Sequence, residues 1–236
     1  MIRAIVFDFD GLILDTEISA YQTWQEIYAE YDCELPFETW ATCIGGSPQL
    51  FDPCVYLEEQ IGRAVPREEM RQRRRQRHLE LILAQSPLPG VEAYLQDARR
   101  LGLRIGLASS SPHSWVDTHL VRLGILDYFD SIQCFDDVTN TKPDPELYLA
   151  VLNALHVRGD ETIALEDSPN GVRAAQRAGI FCVAVPNPVT NQLPLEHADM
   201  RLESLADMPL EELLTYVGAC ISTPGATSEA MSRPGG

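Results

Sequence analysis

Apolar residues recur along this chain in two rhythms. Residues 2–6, IRAIV, form a short apolar run that predicts a buried strand at the very start. From Thr16 to about residue 86 the spacing turns helical: TEISAYQTWQEIYAEYD starts a helix at Thr16, and VYLEEQIG and PREEMRQRRRQRHLELILAQ continue the pattern. From Pro87 onward the rhythms alternate. GVEAYLQDARRLG predicts a helix ending at Gly102, LRIGLASS a strand, PHSWVDTHLVRLG a helix ending at Gly124, and SIQCF a short strand. PELYLAVLNALHV and PNGVRAAQRAG then read as helices, with TIALE between them and IFCVAV after them as strands. Strands alternating with helices imply βαβ units, so the expected fold is a doubly wound, mostly parallel α/β sheet covered on both faces. The helical stretch interrupts this alternation after its first strand. The expected organisation is therefore an α/β core over residues 1–15 and 87–215 with an inserted helical cap over 16–86, SPLPG at 86–90 being the return hinge. Small and turn-forming residues near the end predict a disordered tail over 216–236.

The apolar and charged fractions, 45% and 22%, are those of an ordinary globular protein, and 236 residues can bury a sizeable core. No apolar run approaches the roughly 20 residues that cross a bilayer, and MIRAIVF meets acidic residues too early for a secretory signal, so no membrane association and a cytoplasmic location are expected. Cys33, Cys43, Cys54, Cys134, Cys182 and Cys220 show no CxxC or zinc-like spacing, which suits reduced thiols. A formal charge of −17 argues against a nucleic-acid partner, whose phosphates need a broad basic surface, but permits a small anion in a local pocket. The cations comprise 17 Arg and a single Lys, Lys142. Lysine offers a compact point charge where arginine offers a wide fork, so the lone ammonium marks a place where a guanidinium would not serve.

The first strand runs directly into FDFDG. Strand periodicity would send Asp8 and Asp10 to the same side, where two close carboxylates need a proton or a cation between them. Other predicted strands also end in polar groups: Ser109 in GLASSS, Glu166 and Asp167 in IALEDS, and Lys142 in the loop TNTKPDP after the third strand. Ligands of open α/β sheets bind at the carboxyl ends of strands. Ser111-Pro112, Asp144-Pro145 and Ser168-Pro169 each read as an N-cap followed by the first helical residue, and helix N-termini favour anions. Carboxylates beside anion-holding donors describe a phosphate and a divalent metal sharing one site, with Asp8 and Asp167 converging on Mg²⁺ from two strands.

FDFDG, LASSS, TKPDP and LEDSPNG, in this order and with a helical insert after the first, resemble the four motifs of the haloacid dehalogenase (HAD) superfamily. The insert resembles the C1-capped subgroup that includes β-phosphoglucomutase and the sugar-phosphate phosphatases, and the likeness covers about residues 1–215. The resemblance implies a Mg²⁺-dependent phosphatase of a small phosphorylated metabolite, a sugar phosphate by preference. Asp8 would be the nucleophile and Asp10 the general acid and base; Ser109 and Lys142 would hold the phosphoryl group, with Ser110 and the N–H groups of Gly11 and Leu12 helping. Asp8, Asp167 and the carbonyl of Asp10 would ligate Mg²⁺, and Glu166 would support the metal's waters. The expected assembly is a monomer or small homo-oligomer.

Two other functions stay in view. Related mutases carry a His ten residues after the acid/base Asp and an Arg just after the cap's G-x-S, where this chain has Ala20 and Pro48. A non-catalytic phosphometabolite-binding protein would not require the full set of Asp8, Asp10, Lys142 and Asp167. The run RQRRRQRH at 71–78 reads as a solvated helix face that could otherwise reach a substrate anion, GGS at 45–47 as a flexible turn of a cap loop, and His113 and His119 as structural residues on one helix face.

Overall fold

A computed structural model describes residues 1–41 and 51–222. GGS at 45–47, Pro48 and the chain after 222 lie outside the described residues. Six strands form one parallel sheet: β1 (Ala4–Phe7), β2 (Arg104–Ala108), β3 (Ser131–Gln133), β4 (Thr162–Glu166), β5 (Phe181–Ala184) and β6 (Met200–Arg201), in the order β3-β2-β1-β4-β5-β6. The two-residue β6 is too short to show a period of its own in the sequence. Helices α1 (Thr16–Ala29), α2 (Phe37–Ala41), α3 (Pro53–Ile61) and α4 (Arg67–Leu83) lie between β1 and β2, with α5 (Val91–Arg100) leading into β2. Then follow α6 (His113–Leu123), α7 (Glu146–Leu155), α8 (Pro169–Arg177) and α9 (Leu210–Ser222).

Parallel strands must be covered on both faces, and here the two faces differ in size. Ile5, Phe7, Ile105, Leu107, Ile163, Leu165 and Val183 point to the side packed by α5, α6 and α9. Ala4, Val6, Ala108, Ala164, Cys182 and Ala184 point to the side packed by α7 and α8. Small residues let those two helices come close: a Cβ added at Gly106 of β2 would stand 2.5 Å from Val151 Cγ1. Helix α9 corrects the expected start of the tail. Leu210, Leu213 and Val217 recur at helical spacing and are fully buried in the larger cluster, so the helix continues through the small residues that follow instead of fraying at 216.

The helical segment has an apolar cluster of its own, built on Trp24, Ile27, Tyr28, Leu35, Trp40, Leu57 and Met70. Asp15 caps α1 by accepting from the Ile18 N–H at 3.1 Å. Gly106→Ala should overpack the narrow face and lower the unfolding free energy by about 1–3 kcal/mol, read as a lower urea midpoint; an unchanged midpoint would show that α7 can retreat.

Candidate functional site

The strand order reverses between β1 and β4, where such sheets bind ligands. β1 pairs with β2 and β4 as far as Phe7, and the Asp8 N–H donates to Leu165 O at 3.0 Å. Asp8 thus lies level with Glu166, the last residue of β4, and with Asp167 just beyond it. Carboxylate oxygens of Asp8, Glu166 and Asp167 lie within 4.8 Å of one another, and all three residues are buried. Like charges at that separation repel by on the order of 3 kcal/mol per pair even at an effective dielectric constant near 20. The cluster therefore requires positive charge.

Lys142 supplies part of it. Its Nζ donates to Asp8 Oδ1 at 2.5 Å, Glu166 Oε1 at 2.6 Å and Ala108 O at 2.8 Å. Three acceptors use all three N–H bonds of an ammonium, a match that a planar guanidinium could not make. Burial opposes its charge, but Asp8 and Glu166 outweigh that and hold Lys142 protonated. One ammonium still leaves two of the three carboxylates uncompensated. Burial pushes the Asp8 carboxyl up to about 8 against the pull of Lys142, and burial together with Asp8 and Glu166 pushes Asp167 well above the carboxylate range. An all-oxygen donor set with surplus negative charge fits a hard divalent cation such as Mg²⁺.

Asp10 sits apart from this cluster. The strand stops at Phe7, and a tight turn follows in which Ile13 and Leu14 N–H both donate to Phe9 O. The period-two expectation that placed Asp8 and Asp10 side by side carried the strand too far. The Asp10 carboxylate instead accepts from Ser111 Oγ at 2.6 Å and Trp115 Nε1 at 3.0 Å. Ser111, expected to cap α6, spends its hydroxyl on Asp10; Pro112 occupies the cap position with no side-chain bond. Ser168 does cap α8, accepting from Gly171 N–H at 3.1 Å.

Of the expected phosphate binders, Ser109 is buried at the end of β2, where its hydroxyl accepts from Ser111 N–H at 3.0 Å, whereas Ser110 is exposed. Gly11 donates its N–H to Leu14 O at 2.7 Å, so that amide is committed to the turn, while Leu12 makes only a long 3.4 Å contact with Phe9 O. Gly11 is needed on two counts. Its φ is +83°, and a Cβ there would stand 2.1 Å from Asp167 Oδ2. Glu166 is anchored on Tyr148, whose hydroxyl donates to Oε1 at 2.6 Å, as well as on Lys142.

Several residues here were not read from the sequence. Asn187, after β5, donates through Nδ2 to Asp167 Oδ2 at 2.8 Å and Gly11 O at 3.2 Å, and its Oδ1 accepts from Val189 and Thr190 N–H. Its signal was the Pro-Asn-Pro that closes IFCVAV at the same sheet edge. Glu17 is a second. Burial, with Asp10 and Asp15 adding, pushes its carboxyl up to about 7 against Arg74. In the basic run, Arg71, Arg73, Arg75 and Arg77 pair with Asp52, Glu30, Glu68 and Glu26, as a solvated face would. Arg74 turns inward over Trp24. His113 bridges Asp117 and Asp137; burial lowers its pKa, yet those two carboxylates outweigh it and raise the pKa overall. That ring ties α6 to the loop after β3, a structural role.

The model of the haloacid dehalogenase-like hydrolases matches residues 5–185, and the chain belongs to that family. It is 50% identical over 219 residues to "Putative phosphatase YhcW" of Bacillus subtilis (strain 168), covering 93% of this chain and 99% of the relative. It is 30% identical over 183 residues to the phosphorylated carbohydrates phosphatase of Thermotoga maritima, covering 75% of this chain and 82% of that protein. The crystal structure of β-phosphoglucomutase (pgmB) from Clostridium difficile superposes with a TM-score of 0.73 at 26% identity, covering 94% of this chain and all of that one. Among the described residues no helix is long and apolar enough to cross a membrane.

Asn187→Ala would leave Asp167 and the Gly11 carbonyl without a buried donor. It should lower the unfolding free energy by about 1–3 kcal/mol, measured by urea denaturation; a loss below the error of the fit would mean that water replaces the amide.

Proposed function

We propose that this chain is a Mg²⁺-dependent phosphatase that hydrolyses a small phosphorylated sugar through an aspartyl-phosphate on Asp8. The observation that carries this reading is the buried Asp8 carboxylate, held against Lys142 and facing Glu166 and Asp167 at the switch point of the sheet. Family membership and two relatives with phosphatase names support the reaction class, and the carbohydrate phosphatase among them supports the sugar.

In this mechanism an Asp8 oxygen attacks phosphorus as the bond to the sugar oxygen breaks, and Asp10 delivers a proton to that leaving oxygen. Asp10 then takes a proton from water, whose oxygen attacks the same phosphorus; the Asp8–phosphorus bond breaks and inorganic phosphate leaves. Lys142 neutralises charge on the phosphoryl oxygens and Ser109 donates a hydrogen bond to one of them. Asp8, Asp167, Glu166 and the carbonyl of Asp10 would hold Mg²⁺, which when bound supplies positive charge that keeps Asp8 ionised and balances the phosphate. In this reading the helical segment acts as a cap over this edge, and Glu17 and Arg74 are the side chains proposed to meet the sugar. Ala20 stands where mutases have histidine, and it is buried in the helical segment's own cluster. Water is therefore the acceptor. The buried thiols of Cys54, Cys134 and Cys182 suit the cytoplasm.

Turnover of p-nitrophenyl phosphate should vanish in EDTA and return with Mg²⁺, and Asp8→Asn should abolish it while the chain still folds, as read by circular dichroism. β-Glucose 1-phosphate with a bisphosphate primer should yield free phosphate; accumulation of glucose 6-phosphate would make the chain a mutase. Metal-independent turnover, or near-native rates in Asp8→Asn, would overturn the covalent route.

A further inference from the structure

Trp115 lies one turn into α6 and touches both halves of the molecule. Its indole N–H, the only donor the side chain has, donates to Asp10 Oδ1 at 3.0 Å, leaving Oδ2 to Ser111. The ring is wedged between two histidines. His119, buried in the α/β core, meets it edge-on with centroids 4.3 Å apart and itself stacks on Phe9 at 6.2 Å. His78, on α4 of the helical segment, stacks on it at 5.8 Å with the planes 21° apart, and His78 Nε2 lies 3.1 Å from Thr16 O at the start of α1. A continuous line of four rings, Phe9, His119, Trp115 and His78, thus runs from the β1 turn through α6 to the helical segment, and the one polar atom of Trp115 is aimed at Asp10.

We propose that Trp115 is a positioning residue for the reaction: its indole N–H aims the Asp10 carboxylate, and its stacking on His78 makes that aim depend on how the helical segment is seated on the core. Two donors from one short stretch, Ser111 and Trp115, fix both oxygens of Asp10, so the carboxylate has one defined direction in which to pass a proton. Trp115 is at the same time held by the helical segment, through His78. Seating that segment is therefore what completes the acid, so that the leaving oxygen is protonated only after substrate has been enclosed.

This inference rests on the acid–base reading of Asp10, so the test separates the two. Phenyl phosphate and p-nitrophenyl phosphate have nearly the same shape, but phenolate leaves poorly without a proton and p-nitrophenolate leaves readily. Single-turnover release of each phenol is measured by rapid quench with saturating Mg²⁺. Trp115→Phe keeps the ring and deletes the N–H. It should slow release from phenyl phosphate by about 10- to 100-fold, part of the roughly 10²- to 10⁴-fold that a positioned acid contributes. Release from p-nitrophenyl phosphate should change far less, with KM and thermal midpoint close to native. His78→Ala keeps the N–H and removes the stack; it should show the same selective loss to a smaller degree, and it carries the test if Trp115→Phe does not fold. Equal slowing of both esters, or no slowing of either, would overturn the proposal. If Asp10→Asn releases phenol at the native rate, the acid–base reading itself fails; if Asp10→Asn is inactive while Trp115→Phe is native on both esters, only the positioning role fails.

Discussion

Three carboxylates buried at the ends of two adjacent strands, with a single ammonium among them, set the terms for the rest of this structure. Charge of that density cannot be taken out of water unless it is matched nearly atom for atom. The surroundings bear this out. Lys142 spends each of its N–H bonds inside the cluster, Tyr148 satisfies Glu166, Asn187 satisfies Asp167, and Gly11 gives up a side chain so that Asp167 can approach. Even so the charge does not close, and the surplus of negative charge is what a divalent cation would balance.

The fold delivers this arrangement cheaply. Parallel pairing holds β1 and β4 in register, so residues at their ends meet without any loop having to fold back. The asymmetry of the sheet matters as well. Small side chains on one face bring α7 close enough for Tyr148 to reach Glu166, while the large apolar face anchors α5, α6 and α9. The helical segment has its own apolar cluster and is tied to the core beside Asp10 through His78 and Trp115.

Much of this could be read from the residues. βαβ alternation announced the sheet, and the polar strand ends announced its working edge, because burying strands on both faces leaves polar groups nowhere else to cluster. The charge argument asked for a cation between Asp8 and Asp10; the structure sets Lys142 between Asp8 and Glu166 instead, with Asp10 turned to Ser111 and Trp115. What escaped had weaker local signals. β6 is two residues long, and α9 carries its apolar spacing into a stretch whose Gly, Ala and Cys suggested disorder. Ser111 looked like a cap because Ser-Pro so often is one; only the fold brings Asp10, 101 residues earlier, within reach of its hydroxyl. Asn187 and Trp115 act through long-range hydrogen bonds, to Asp167 and Gly11 from the one and to Asp10 from the other, and no periodicity encodes these.

The central claim is that the cluster of Asp8, Glu166 and Asp167 is built for a divalent cation. Calorimetric titration of the purified chain with Mg²⁺ at neutral pH, repeated in two buffers of different ionisation enthalpy, tests it most directly. The account predicts saturable binding of one ion per chain with net release of protons, lost in Asp167→Asn. Absence of saturable binding, or binding that Asp167→Asn leaves intact, would contradict it.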